Sequence, residues 1–211
     1  MLAAERLWVE IAKRYAACPT VAAYDLLNEP QNNGSHTGDN AWPAESEEAV
    51  RRTNEAYDRL YRAVRSVDTE HMISLEGIWS TSVLPELTEN GYENILVQLH
   101  LYDTERGMLR YRVNELKSAR KKWKCAVLVG EFNSFEEEEY ACALYAKNDI
   151  SYVKWTYKTM NTGSNWGIFN ANVGRIDIDY ASYEEIAEFF GEGLRTENCS
   201  FNSEEMRAIT P

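Results

Sequence analysis

A chain of 211 residues with 22 Lys and Arg against 34 Asp and Glu carries a formal charge of −12, and its length suits one hydrophobic core rather than two. The acidic balance would repel a polyphosphate, so nucleic acid is not expected as a partner, and no run of about eighteen apolar residues offers a membrane span. Cys18, Cys125, Cys142 and Cys199 form no C-x-x-C pair, so neither a zinc site nor a redox motif is signalled.

The opening "MLAAERLWVEIAKRY" reads as an amphipathic helix over about 3–16, with Leu7, Ile11 and Tyr15 at helical spacing, Trp8 beside them and Pro19 just beyond. It carries both signs of charge and lacks the form of a secretion signal. Val21 to Leu27 reads as a strand, and a long helix is predicted over about 44–66 from Val50, Ala56, Leu60, Ala63 and Val67. "HMISLEG" and "NILVQLHLY" are strands, "LRYRVNELKSARKKW" is a helix, and "CAVLVGEF" is the most continuous apolar strand. In "SFEEEEYACALYAKND" Ser134 is placed to cap a helix with Glu137 as reciprocal partner, the acidic run favoured by the positive helix start. "ISYVKWTYK" is a fifth strand; a loop rich in Asn and Gly and the helix "SYEEIAEFFGEGL" follow.

Strands alternating with helices of this length indicate parallel crossovers and an α/β fold in one domain over 1–211, with apolar strands covered on both faces. In such a fold, functional groups gather where the strands end. The first strand ends in Asn28-Glu29-Pro30, the second in Glu76-Gly77 with Trp79 after it, the third in His100 and Tyr102, the fourth in Glu131 and the fifth in Trp155. Two glutamates on separate strands, with a His, a Tyr, an Asn and a Trp around them, are the set that glycoside hydrolysis needs. One carboxylic acid protonates the leaving oxygen, and one carboxylate attacks the sugar carbon from about 5 to 5.5 Å away if configuration is retained.

The segments "YDLLNEP", "HLY", "VGEF" and "KWTYK…NWGIFN", in this order from about Tyr15 to Asn170, resemble glycoside hydrolase family 5, the (β/α)8-barrel family of cellulases, mannanases and exo-glucanases. The resemblance implies hydrolysis of β-linked glucan or mannan by a retaining double displacement, without a cofactor. It makes Glu29 the general acid/base, Glu131 the nucleophile and Asn28 the residue that bonds the sugar 2-hydroxyl. Tyr102 would hydrogen-bond the nucleophile, His100 would line the cleft, and Trp155 would be the platform under the sugar. Pro30 is expected to hold Glu29 extended at the strand end.

Other residues have plainer readings. Trp8 and Trp123 lie on helical faces as core residues, whereas Trp42, Trp79 and Trp166 sit in loops, where a ring stacks on sugar or packs on its own domain; Trp79 and Trp166 are kept as candidate sugar contacts. Glu76 is read as serving the strand end, with lining the cleft as the alternative. His36 and His71 have no partner pattern, and with no H-E-x-x-H no metal is assigned.

A full barrel has eight strands, and in family 5 the first three precede N-E-P, so the resemblance implies an incomplete TIM-type barrel of about five strands. Open edges at Val21 and Tyr152 are then expected to drive self-association or recruit a complementary N-terminal segment. The alternative to an enzyme is a non-catalytic truncated barrel, either a sugar-binding remnant or a self-associating fragment. A related barrel hydrolase family of the same plan is the third reading, with "HLY" and "KWTYK" favouring family 5. An extracellular location is expected from the polymer substrate alone.

Overall fold

In the computed structural model, which describes residues 2–34, 38, 40–160 and 166–210, five parallel strands lie side by side in chain order. They are β1 (Ala23–Asp25), β2 (Met72–Glu76), β3 (Ile95–Leu101), β4 (Ala126–Phe132) and β5 (Ser151–Lys154). The sheet curls into a half-barrel, an incomplete (β/α) barrel of TIM type. Helices α1 (Leu2–Tyr15), α2 (Glu47–Arg65), α3 (Arg106–Trp123) and α4 (Glu138–Lys147) precede β1, β2, β4 and β5, while the connection from β2 to β3 carries only a 3-10 turn over Thr81–Val83. Parallel neighbours demand such crossovers, because a chain leaving one end of the sheet must return to the other before it can pair again. His36, read as unpartnered, lies outside the described residues.

β3 is buried at six of its seven positions, the continuous apolar run of a strand covered on both faces. α3 turns Leu109, Val113, Leu116 and Ala119 inward at helical spacing. Two helical faces differ from the expected ones. α2 buries Thr53, Tyr57, Leu60, Tyr61 and Val64, a face one residue away from Ala56 and Ala63, because the tyrosines bury more apolar area and their hydroxyls find partners: the Tyr57 hydroxyl donates to the Glu76 carbonyl at 2.8 Å and accepts from the Glu76 amide at 3.1 Å. On α1 the core side is Ala4, Trp8, Ile11 and Ala12, whereas Leu7 is 60% exposed.

The expected cap at Ser134 is also replaced. The Ser134 side chain makes no capping bond, a single 3-10 turn over Phe135–Glu137 intervenes, and Glu138 accepts the Ser134 backbone N–H instead. The acidic run is therefore not uniformly solvated: Glu138 is buried and pairs with Lys154, which also pairs with Glu205.

Beyond β5 the chain forms a second, smaller sheet of β6 (Lys158–Met160), β7 (Phe169–Ala171) and β8 (Ser200–Phe201), with β6 and β7 parallel and β8 antiparallel to β7. The expected fifth strand is thus two strands in different sheets, and the expected loop contains β7. The predicted helix over 182–194 is α5 (Tyr183–Glu188), closed by a capping box between Ser182 and Glu185 and continued by one wider turn to Gly193. α6 (Ser203–Ile209) packs on α4 and accepts a hydrogen bond from the Tyr152 hydroxyl at the Ile209 carbonyl, 3.1 Å away.

Candidate active site

The site lies where the strands end. The register between β3 and β4 pairs Leu99 with Val129 and then His100 with Glu131, leaving Gly130 as an extra residue. A bulge of this kind re-aims the side chain that follows it, and here it sets Glu131 beside His100, with Oε2 of Glu131 3.5 Å from Nδ1 of His100. The bulged residue has to be glycine for a local reason. A Cβ on Gly130 would lie 1.7 Å from Gln98 Oε1 and 3.3 Å from His100 Nε2, and Gln98 is held in place because its Nε2 donates to Asp25 Oδ1 and Ser74 Oγ, both at 2.7 Å.

Glu29 follows β1 by four residues and is half-buried. Its Oε1 is 2.9 Å from the same Nδ1 of His100. Its backbone is not extended as Pro30 suggested: φ is +43°, in the left-handed region that costs a non-glycine residue about 1–2 kcal/mol. The neighbouring structure overrides the local preference, since the Glu29 amide donates to Oε2 of Glu76 at 2.6 Å. Glu76 is buried at the end of β2, and its Oε1 stands 3.4 Å from His100 Nδ1 without a hydrogen-bond partner. Three carboxyl groups thus surround one imidazole nitrogen. Burial foremost, then the nearby charges of Glu29, Asp25 and Glu131, push the Glu76 carboxyl up to about 8, although the Glu29 amide bond works the other way.

The hydroxyl of Tyr102, just past β3, donates to Glu131 Oε2 at 2.8 Å. Burial and that bond raise its own pKa, so the phenol keeps its proton at any ordinary pH. The Trp166 ring lies 6.2 Å from that of Tyr102 and 5.3 Å edge-on from Phe135, which places Trp166 beside the Tyr102–Glu131 pair. Trp155 follows β5 with nearly half its surface exposed, its amide donating to the Phe132 carbonyl at 3.1 Å. Asn28 is exposed beside Glu29.

Trp79 is engaged by its own domain. Its ring packs edge-on against Trp42 at 4.8 Å, its indole N–H donates to the Trp42 carbonyl at 2.6 Å, and Arg112 donates to its own carbonyl at 2.6 Å. Sequence reasoning placed Glu29, His100, Tyr102 and Glu131 at strand ends, and the structure gathers all four. It left Glu76 between strand-end support and cleft lining, and it did not place Gln98 in the site. The only signal for Glu76 was its own position at a strand end, which reads equally as structural.

One atom each from Glu29, Glu76 and His100 lie within 4.8 Å of one another, a grouping able to surround a cation. Metal ligation needs deprotonated ligands, and the burial that keeps a proton on Glu76 opposes it.

A curled run of parallel strands with its ionisable groups collected at the strand ends is a (β/α)-barrel architecture with the site where barrel enzymes carry theirs. The chain belongs to the cellulase family, glycosyl hydrolase family 5, whose family model matches residues 3–172. No curated protein matches it. Among solved structures, a broad-specificity endoglucanase from Clostridium acetobutylicum superposes with a TM-score of 0.68 at 17% identity, over 99% of this chain and 65% of that one. A family 5 lichenase from Caldicellulosiruptor sp. F32, complexed with cellotetraose, gives 0.62 at 16% identity, over 78% of this chain and 56% of that one. Endo-glycoceramidase II from Rhodococcus sp. gives 0.59 at 19% identity, over 78% and 40%. At these identities the likeness is one of fold, and the chain spans from 40% to 65% of the lengths of these three relatives.

Proposed function

We propose that this chain hydrolyses β-glycosidic bonds in a glucan or mannan by a retaining double displacement. Glu131 would attack the anomeric carbon and form an ester with the sugar while Glu29 passes its proton to the departing oxygen. Glu29 would then take a proton from water, whose oxygen displaces Glu131 from the same carbon. Asn28 and the rings of Trp155 and Trp166 would hold the sugar, as the family resemblance implies.

The observation that carries this reading is the single imidazole nitrogen shared by the two carboxyls. With 2.9 Å to Glu29 Oε1 and 3.5 Å to Glu131 Oε2, those two oxygens are no more than about 6.4 Å apart, the sum of the two distances. Inverting enzymes hold their carboxyls roughly 6.5–9.5 Å apart to admit a water, and retaining ones about 5–5.5 Å. Two carboxyls gathered on one imidazole fit the retaining arrangement that the family resemblance implies. The cellotetraose complex of the lichenase makes β-glucan the substrate to try first.

The test is intact mass spectrometry of the folded chain after incubation with activated 2-fluoro glucosyl and mannosyl probes, which trap a retaining nucleophile as an ester. A label mapped to Glu131, and absent from Glu131→Gln, is the expected result. A folded chain that binds oligosaccharide but takes no label from either probe would replace the enzyme reading with the sugar-binding one.

A further inference from the structure

We propose that Glu76 is a positioning residue for the acid/base carboxyl: its side chain fixes the left-handed turn at Glu29 that delivers the Glu29 carboxyl to His100 Nδ1. The proposal rests on the retaining-hydrolase reading above for what Glu29 does, and on geometry for what Glu76 does.

The peptide at Glu29 adopts a conformation that its own sequence disfavours. A residue before proline prefers extended backbone, yet φ at Glu29 is +43°. Such strain persists only where surrounding structure over-determines it, and the group that engages the strained peptide is Glu76 Oε2, 2.6 Å from the Glu29 nitrogen. Glu76 is itself rigidly seated. It closes β2 in register with Gln98, its backbone amide and carbonyl are both bonded to the Tyr57 hydroxyl of α2, and its side chain is fully buried. A chain of contacts therefore runs from the α2 core through the β2 terminus to the Glu29 amide, and from the Glu29 carboxyl to His100.

A carboxyl is a costly choice for a plain structural acceptor at this place. Asp25, Glu29 and Glu131 face Glu76 from β1, the following loop and β4, and His100 faces it from β3. A neutral acceptor would hold the amide without adding to that negative charge. The carboxyl kept protonated by burial behaves as such a neutral group, with one oxygen accepting from Glu29 and the other turned toward His100. If Glu76 were lost, the Glu29 peptide would relax toward the extended conformation that Pro30 favours, swinging its carboxyl away from His100 Nδ1.

Two substitutions separate positioning from mere packing. Glu76→Gln keeps an acceptor for the Glu29 amide; Glu76→Met fills the volume without one, and Glu76→Ala replaces it should the larger side chain not fold. The first readout is nuclear magnetic resonance of the His100 ring nitrogens and the Glu29 carboxyl carbon in the whole chain. The wild type and Glu76→Gln are expected to share one set of shifts with a His100–Glu29 hydrogen-bond signature, and Glu76→Met to lose it. The second readout is kinetic. Hydrolysis of a glycoside with a poor leaving group, which needs the acid, should fall roughly 10²-fold in Glu76→Met and largely recover in Glu76→Gln. Labelling of Glu131 by a dinitrophenyl 2-fluoro glycoside, which needs no acid, should fall less than about tenfold.

A Glu76→Met chain that keeps the His100–Glu29 signature overturns the proposal. So does an equal loss of labelling and hydrolysis in the Met and Gln variants, which marks a general defect. If the wild type takes no label, the hydrolase reading fails, and the resonance comparison alone still decides whether Glu76 positions Glu29.

Discussion

The Tyr102 hydroxyl and the Glu131 carboxylate share a 2.8 Å hydrogen bond, on the same Oε2 that stands 3.5 Å from His100 Nδ1. One oxygen of Glu131 is therefore held by neighbours. A phenol serves this purpose because it donates without carrying charge and keeps its proton while buried beside a carboxylate.

Removing that donor gives the first prediction. Tyr102→Phe keeps the ring against Trp166 but leaves Glu131 without the bond that aims it. Hydrogen bonds to charged groups contribute about 1.5–3 kcal/mol, so the rate of Glu131 labelling by an activated 2-fluoro glycoside should fall roughly 10- to 100-fold. Stopped-flow release of the leaving group measures it, and an unchanged rate would remove Tyr102 from the proposed machinery.

The four strand-end residues were legible because a parallel fold sends its chemistry to one end, and that rule needs no side-chain detail. Gly130 was legible as part of a motif, but its cause was not: Gln98 lies thirty-two residues earlier and meets Gly130 only through the register of β3 and β4. Glu76 was visible as a residue and hidden as a role, because its partners are a backbone amide and a helix tyrosine. The second sheet was missed for a different reason. β6, β7 and β8 have three, three and two residues, too few for a period to show. The Glu29 conformation was misread because the local proline preference was outweighed by a contact from a strand 47 residues away.

The clamp at Lys154 gives a second prediction. Its ammonium is buried between Glu138 of α4 and Glu205 of α6, and burial raises the Glu138 carboxyl against the opposing pull of Lys154. Breaking a buried pair by removing one partner costs about 3–5 kcal/mol, because it strands the other charge. Lys154→Met should lower unfolding free energy by that order in urea titrations and loosen α6, read as faster amide exchange over 203–209. Equal exchange in both proteins would show that α6 is held by other contacts.

A third prediction concerns the rims of the half-barrel. Among the described residues β1 pairs only with β2 and β5 only with β4, and Leu2, Leu7 and Tyr15 of the adjacent α1 are exposed. Unpaired edges beside uncovered apolar surface favour association. We expect a second copy of the chain to cover the β1 side, giving a sedimentation mass of at least two chains at micromolar concentration. Leu7→Glu should shift that mass toward one chain. A single-chain mass for the unaltered protein would show that the edge is stable uncovered.

The last prediction follows from the proton on Glu76. In the unfolded chain this carboxyl titrates near 4.5, and in the folded chain it is pushed up to about 8. Between those values the folded state binds more protons than the unfolded one, so stability falls as pH rises, and the full loss is present above about 8. Below 4.5 both states hold the proton and the penalty vanishes. The size follows from the gap at about 1.4 kcal/mol per pH unit, roughly 3–5 kcal/mol in all. Glu76→Gln has no proton to lose, so its advantage over the wild type should be absent near pH 4.5 and grow by a few kcal/mol by pH 8. Urea titrations of both proteins at pH 4.5, 6 and 8 measure the difference. Parallel pH curves would mean that Glu76 ionises in the folded chain as readily as in the unfolded one, and that water or a counter-charge reaches its buried oxygen.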